Sequence, residues 1–288
     1  MIEAIFSYEF LQNAFLSGII IGFIAPLLGL FIVVRRLALI ADALSHVALA
    51  GIAGSLYMSQ QFLLFSALNP VYFGIGAAIG GSLLIDKLRG VYKHFEELAI
   101  PVILSAGIGL SAIFISLSKG FTADLMGYLF GSVSAVSRED LFVVLGIALV
   151  VIGFVYLFYK ELFVLSFDGE YSKVSGINGK VIDLLFMVVT ALVIGASMRI
   201  VGILLVSSLM TVPVATAMQL AKSFKGAMFY AIILGELAVM IGLVAAFYLD
   251  IAPGGTIVIT SVLILLSVLG IKRFRSRRQL KPMKETVQ

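Results

Sequence analysis

Long apolar runs, broken by short polar or basic stretches, dominate the chain. Nine runs are long enough, or nearly so, to cross a hydrocarbon core about 30 Å thick. They cover Phe10–Val34, Leu39–Met58, Phe62–Ile85, Leu98–Leu117, Leu141–Tyr159, Val181–Ser197, Ile200–Leu220, Gly226–Leu249 and Thr256–Ile271. Within each run apolar residues follow one another without alternating with polar ones, so spanning strands are excluded. Helices, which satisfy their own backbone hydrogen bonds in lipid, are the expected elements. Phe121–Val136 is shorter and punctuated by glycine, and reads as an interfacial or re-entrant segment. The pattern predicts an all-α polytopic protein of about nine spans, or eight if a short middle segment fails to cross.

Composition agrees. Hydrophobic residues make up 61% of the 288 and charged residues only 12%, against about a quarter charged in soluble domains. A net charge of +4 could suggest nucleic acid, but no basic face or aromatic stacking platform is present. The basic residues sit in short clusters between apolar runs, where they orient spans. With the C-terminus placed in the cytoplasm, seventeen of the 20 lysines and arginines fall inside and only Lys119, Arg138 and Arg199 outside. An odd number of spans then puts the N-terminus outside. The absence of cysteine excludes disulfides and thiolate metal sites. MIEAIFSYEF carries two glutamates and no basic residue, so no cleaved signal peptide is expected. One transmembrane domain is expected over residues 1–275, followed by a basic, disordered cytoplasmic tail over 276–288. Glycines at Gly18 and Gly22, Gly76 and Gly80, and Gly107 and Gly109 predict close helix packing.

Ionisable residues inside apolar runs carry the chemistry, because each is costly there unless paired or functional. In ADALSH, Asp42 and His46 are four apart and share one helix face. A carboxylate and an imidazole so placed can hold one divalent ion such as zinc, manganese or iron, provided the imidazole is neutral. A mutual hydrogen bond that satisfies two buried groups, or a proton relay, would use the same pair. With the span starting at Leu39, Asp42 lies only about one turn from the cytoplasmic face. A deeper site requires Arg35 and Arg36 to be packed into protein. Glu236 is a candidate third ligand, Asp183 fits a helix N-terminus, Arg199 can snorkel to the outer surface, and His94 reads as a solvated loop residue. The polar loop SFDGEYSKVSGING (166–179) suggests a short surface helix ended by Gly176. No G-x-x-x-x-G-K-[ST], G-x-S-x-G or H-E-x-x-H occurs, so any ATP hydrolysis belongs to another subunit.

Three segments, RRLALIADALSHVALAGIAG (35–54), LSFDGEYSKVSG (165–176) and VGILLVSSLMTVPVATAMQLA (201–221), resemble the permease family of zinc, manganese and iron ABC importers. The resemblance runs through essentially the whole chain. It implies a non-enzymatic permease of the prokaryotic cytoplasmic membrane, working as a homodimer. Two copies of a cytoplasmic ATP-binding subunit and an extracellular or periplasmic metal-binding protein are the implied partners, with membrane lipid around it and no nucleic acid. No cofactor is held permanently; zinc or manganese passes transiently. The family's metal pair falls on Asp42 and His46, and its ATPase-coupling loop on Phe167, Asp168, Glu170, Lys173 and Gly176. Tyr171 and Ser172 stand where the wider importer pattern has two alanines. Lacking glycine after Arg35 and proline before Gly51, the first segment looks more like the zinc branch than the manganese one. Two other classes stay open on residues alone: an ATPase-independent transporter or channel, and an intramembrane enzyme using Asp42, His46 and Glu236.

Overall fold

Caps and turns, more than hydropathy, decide where the helices begin and end. The computed structural model describes residues 8–62, 68–92, 95–118, 120 and 123–280. The chain forms α1 (Glu9–Val34), α2 (Ala38–Gln61), α3 (Pro70–Val91), α4 (Ala99–Leu117), α5 (Ala123–Phe130) and α6 (Arg138–Leu157). It continues with α7 (Tyr159–Phe167), α8 (Gly169–Val174), α9 (Gly179–Ser197), α10 (Val206–Leu220), α11 (Phe224–Leu249) and α12 (Pro253–Leu280). The described residues contain no strand.

Eight of these helices are long and apolar enough to cross a membrane. α10 is the exception. Its 15 residues rise only about 22 Å, short of a core of about 30 Å. It nevertheless joins the two ends of the bundle. The loop before it bonds to α5, with the Ile203 N–H donating to the Tyr128 carbonyl at 2.9 Å. At its other end Gln219 accepts from Lys272 Nζ at 3.1 Å. The described residues therefore hold eight candidate spans and one shorter apolar helix. The expected span Ile200–Leu220 loses its first turn and a half because residues 198–205 form a turn instead of helix. Gly202 (φ +83°) lies at the centre of that turn, and a Cβ there would be 2.4 Å from the Leu129 carbonyl oxygen. The glycine lets this turn sit directly on α5, which lies in the interfacial or re-entrant segment expected at Phe121–Val136, of which Phe121 and Thr122 lie outside the described residues.

The third span is offset. Apolar residues run from Phe62, but the helix begins at Pro70, where Asn69 caps it by accepting the Val71 N–H at 3.1 Å. Proline at the first helical position after an asparagine cap is a favoured start. α6 opens with a capping box, in which Ser137 and Asp140 satisfy each other's backbone N–H groups.

α1 and α2 form the centre: 72% and 67% of their apolar windows are buried, against 17% for α12 at the periphery. α1 packs on α10 and α11, and α2 on α3 and α4. The glycine expectation holds in part. A Cβ on Gly18 would meet Leu243 at 2.7 Å, and one on Gly22 would meet Glu236 at 3.1 Å, so α1 and α11 touch closely. Gly107 seats α4 on the α2 backbone, whereas Gly76, Gly80 and Gly109 have nothing within 4 Å. Those three mediate no packing among the described residues. α12 runs on to Leu280, past the domain boundary expected at 275; residues 281–288 lie outside the described residues.

Candidate metal centre and coupling loop

The candidate metal centre begins with a turn. α1 ends in a Schellman motif: Leu37 N–H donates to the Ile32 carbonyl at 2.8 Å and Arg36 N–H to that of Val33 at 3.0 Å. Arg36 occupies the left-handed position usually given to glycine, at φ +58°, which costs roughly 1 kcal/mol for a residue with a Cβ. The reversal starts α2 at Ala38 and turns Arg35 inward. Only 9% of the Arg35 side chain is exposed; it forms an ion pair with Asp183, and its guanidinium carbon sits 5.3 Å from the Phe186 ring centroid. Arg35 is thus packed into protein, while Arg36 is exposed. Asp183 lies beyond the first turn of α9, which starts at Gly179. The expectation of a dipole-bound carboxylate is therefore corrected, because that effect fades within one turn.

Asp42 and His46 occupy successive turns of α2, both half-buried, among buried Ala41, Ala43, Leu44, Ser45 and Ala48. Packing fixes how α2 is rotated. A Cβ on Gly107 would lie 2.9 Å from the Val47 nitrogen and 3.0 Å from the His46 carbonyl carbon, and one on Gly81 would lie 3.0 Å from Val47 Cγ1. α3 and α4 thus grip the Val47 side of α2, while the edge bearing Asp42 and His46 stays partly open. Leu39, one turn earlier, is 54% exposed. The Ser45 hydroxyl is buried with no hydrogen-bond partner among the described residues.

One carboxylate and one imidazole supply two donors, fewer than a first-row divalent ion takes. Among the described residues no three His, Cys, Asp or Glu side chains come together. The Glu236 carboxylate lies beside Gly22 of α1, where a Cβ would come 3.1 Å from its Oε2. His94 lies outside the described residues.

At the Arg35 end the polar loop folds as its sequence suggests. Asp168 caps α8, its Oδ1 accepting the Tyr171 N–H at 2.9 Å. A second Schellman bond closes the helix, from Ile177 N–H to the Ser172 carbonyl at 3.0 Å. Gly176 has φ +76° with nothing within 4 Å of a would-be Cβ, so backbone conformation alone calls for glycine. Phe167 and Tyr171 are exposed, at 61% and 59%, whereas Ser172 is buried. For Glu170 and Lys173 the backbone alone is described. Phe163 and Phe167 lie 5.2 and 5.8 Å from Phe224 at the start of α11. Phe224 in turn lies 5.3 Å from Phe31 near the end of α1. This aromatic cluster ties the loop to two spans. The i, i+4 spacing of Phe163 and Phe167 is its sequence signal; the partners come from distant helices.

The opposite end holds a network that sequence reasoning missed. Arg199 does not snorkel. It donates to the Ala135 carbonyl at 2.8 Å, Asp140 at 2.9 Å, Asn69 at 3.2 Å and the Tyr128 hydroxyl at 3.2 Å. It thereby joins the caps of α3 and α6 to α5. Burial pushes the Tyr128 phenol above its ordinary value, against the opposing pull of Arg199. A lone arginine at a helix end gives no hint of such partners, which are 59 to 130 residues away.

Comparison with known proteins follows the same lines. The model of the ABC 3 transport family matches residues 7–272. A probable metal transport system membrane protein of Treponema pallidum is 36% identical, covering 92% of this chain and 96% of that one. The manganese transport system membrane protein MntC of Listeria monocytogenes is 34% identical over 91% of each chain. The high-affinity zinc uptake system membrane protein ZnuB of Haemophilus influenzae is 30% identical over 88% of this chain and 94% of that one. Among solved structures, PsaBC from Streptococcus pneumoniae in complex with Fab superposes with a TM-score of 0.79 at 30% identity, covering 93% of each chain. The chain belongs to the ABC 3 transport family and is the membrane permease of a metal-ion ABC importer, a multi-pass protein of the bacterial cytoplasmic membrane.

Proposed function

We propose that this permease carries a divalent first-row metal ion across the membrane by way of Asp42 and His46. The observation that supports this most directly is the half-buried state of both side chains on one edge of α2, beside buried Ala41, Ala43, Leu44, Ser45 and Ala48. A carboxylate and an imidazole held there by glycine-mediated packing can replace part of an ion's hydration shell, with water or a second copy supplying the remaining donors. Zinc is the ion the sequence favours, from the form of the Arg35–Gly54 segment. Relatives named for manganese as well as zinc make manganese the alternative, and one oxygen and one nitrogen donor suit either.

Energy enters from outside the chain. Two ATP-binding subunits dock at the Phe167–Gly176 loop, with Phe167, Asp168, Glu170, Lys173 and Gly176 as its coupling residues, and a metal-binding protein delivers the ion to the opposite face of a homodimer. The N-terminus lies outside and the C-terminus in the cytoplasm, consistent with the distribution of basic residues. The capped helix α8 and its aromatic link to α1 and α11 support a loop that moves as one body with two spans. The test is uptake of radioactive zinc, with manganese as competitor, in vesicles holding the permease, its ATPase and its carrier. His46→Ala should abolish uptake while leaving subunit assembly intact. Undiminished uptake by that variant at limiting metal would end the reading.

A further inference from the structure

A groove of about 700 Å³ lies between α1 and α6 at the end of the bundle that carries Arg35. This is within the range of roughly 300–1,000 Å³ typical of small-molecule sites. Phe23 and Leu27 of α1 and Ile152 and Val155 of α6 form its apolar wall. Lys160 and Glu161, at the start of α7, stand at its polar end. Among the described residues Glu161 Oε2 is buried there with no hydrogen-bond partner, and Lys160 is exposed and forms no ion pair. A buried carboxylate oxygen without a donor is costly. Whatever fills the groove must therefore supply one.

We propose that this groove binds one phosphatidylethanolamine molecule, with acyl chain against α1 and α6, phosphate on Lys160 and ammonium on Glu161. The helices bordering the groove are membrane spans, so lipid is the solvent that meets its wall. The two polar residues choose the headgroup. One cation beside one carboxylate is net neutral, which complements a zwitterion, and the ethanolamine ammonium provides the donor that Glu161 lacks. An anionic glycerol headgroup would satisfy Lys160 but bring an uncompensated negative charge beside Glu161. Charge-assisted hydrogen bonds of this kind are about twice as strong as neutral ones, enough to distinguish a bound lipid from the surrounding bilayer.

The test is native mass spectrometry of the permease with its ATP-binding subunit, titrated with phosphatidylethanolamine or phosphatidylglycerol of identical acyl chains. The wild type should retain phosphatidylethanolamine about tenfold more tightly, the equivalent of one charge-assisted contact. Lys160→Ala, a change at an exposed position, should weaken both lipids. Glu161→Gln keeps an acceptor but removes the charge, and should abolish the preference between the two. Equal retention of both lipids by the wild type overturns the proposal, as does an unchanged preference in Glu161→Gln. Spontaneous disulfide cross-linking of two copies through Ile152→Cys would assign the groove to a second copy of the chain and overturn it too.

Discussion

Replacing Arg199 with methionine, similar in length but uncharged, tests whether the network opposite the Arg35 end holds the bundle together. The Arg199 side chain is 21% exposed and that of Asp140 only 9%, so the pair is screened far less than a surface ion pair. Without Arg199, Asp140 keeps its bonds to the Ser137 N–H at 2.9 Å and hydroxyl at 2.6 Å, but its charge loses the only cation bonded to it among the described residues. Breaking a buried pair from one side costs about 3–5 kcal/mol. At roughly 2–4 °C per kcal/mol for a chain of this order of size, the melting midpoint should fall by about 10 °C. Asp140→Asn alone should cost less, since Arg199 retains Ala135, Asn69 and Tyr128 as acceptors. The double variant should be more stable than the sum of the single losses implies, with a coupling of about 1–3 kcal/mol. The chain has neither tryptophan nor cysteine, which rules out indole fluorescence and thiol dyes, so the helical circular dichroism signal is the practical readout. A midpoint for Arg199→Met within 2 °C of wild type, or strictly additive losses in the double variant, would refute the network as a fastener.

Gly29→Ala sets helix propensity against packing. Alanine favours the helix by roughly 1 kcal/mol, yet its Cβ would sit 1.9 Å from the Met210 carbonyl oxygen, and forcing backbones apart costs about 1–3 kcal/mol or more; the melting midpoint should fall, and a rise would show that α1 and α10 do not meet there. Gly176→Ala should weaken co-purification of the ATP-binding subunit through strain at φ +76°, whereas Gly176→Asn, which tolerates that conformation, should largely retain it; equal behaviour of the two would point away from backbone conformation. Phe224→Leu, which removes the ring shared by Phe31, Phe163 and Phe167, should uncouple ATP hydrolysis from metal supply without preventing subunit binding. Loss of binding itself would mean that the cluster only shapes the docking surface.

Much of this molecule could be read along one dimension. Apolar runs much longer than a strand needs can satisfy their backbone only as helices in lipid, so the fold class follows from sequence. Local motifs were legible for the same reason. The Asp42–His46 spacing needs only helical geometry, and Gly176 ends α8 because a left-handed residue there completes bonds between near neighbours. Helix ends were less legible. At Pro70 and Val206 hydropathy stays high while a cap or a tight turn sets the boundary, and hydropathy does not register backbone geometry.

Partnership was decided only in three dimensions. Arg35 with Asp183, Arg199 with Asp140, and Gly22 against Glu236 are joined by helix rotation and proximity, which depend on every other contact in the bundle. Glu236 illustrates the difference: a carboxylate in an apolar run reads as a candidate ligand, and only packing sets it against Gly22 of α1. Residues that share one helix declare their geometry through a fixed rise and turn. Residues on different helices acquire theirs only when side chains and glycine contacts fix how those helices pack.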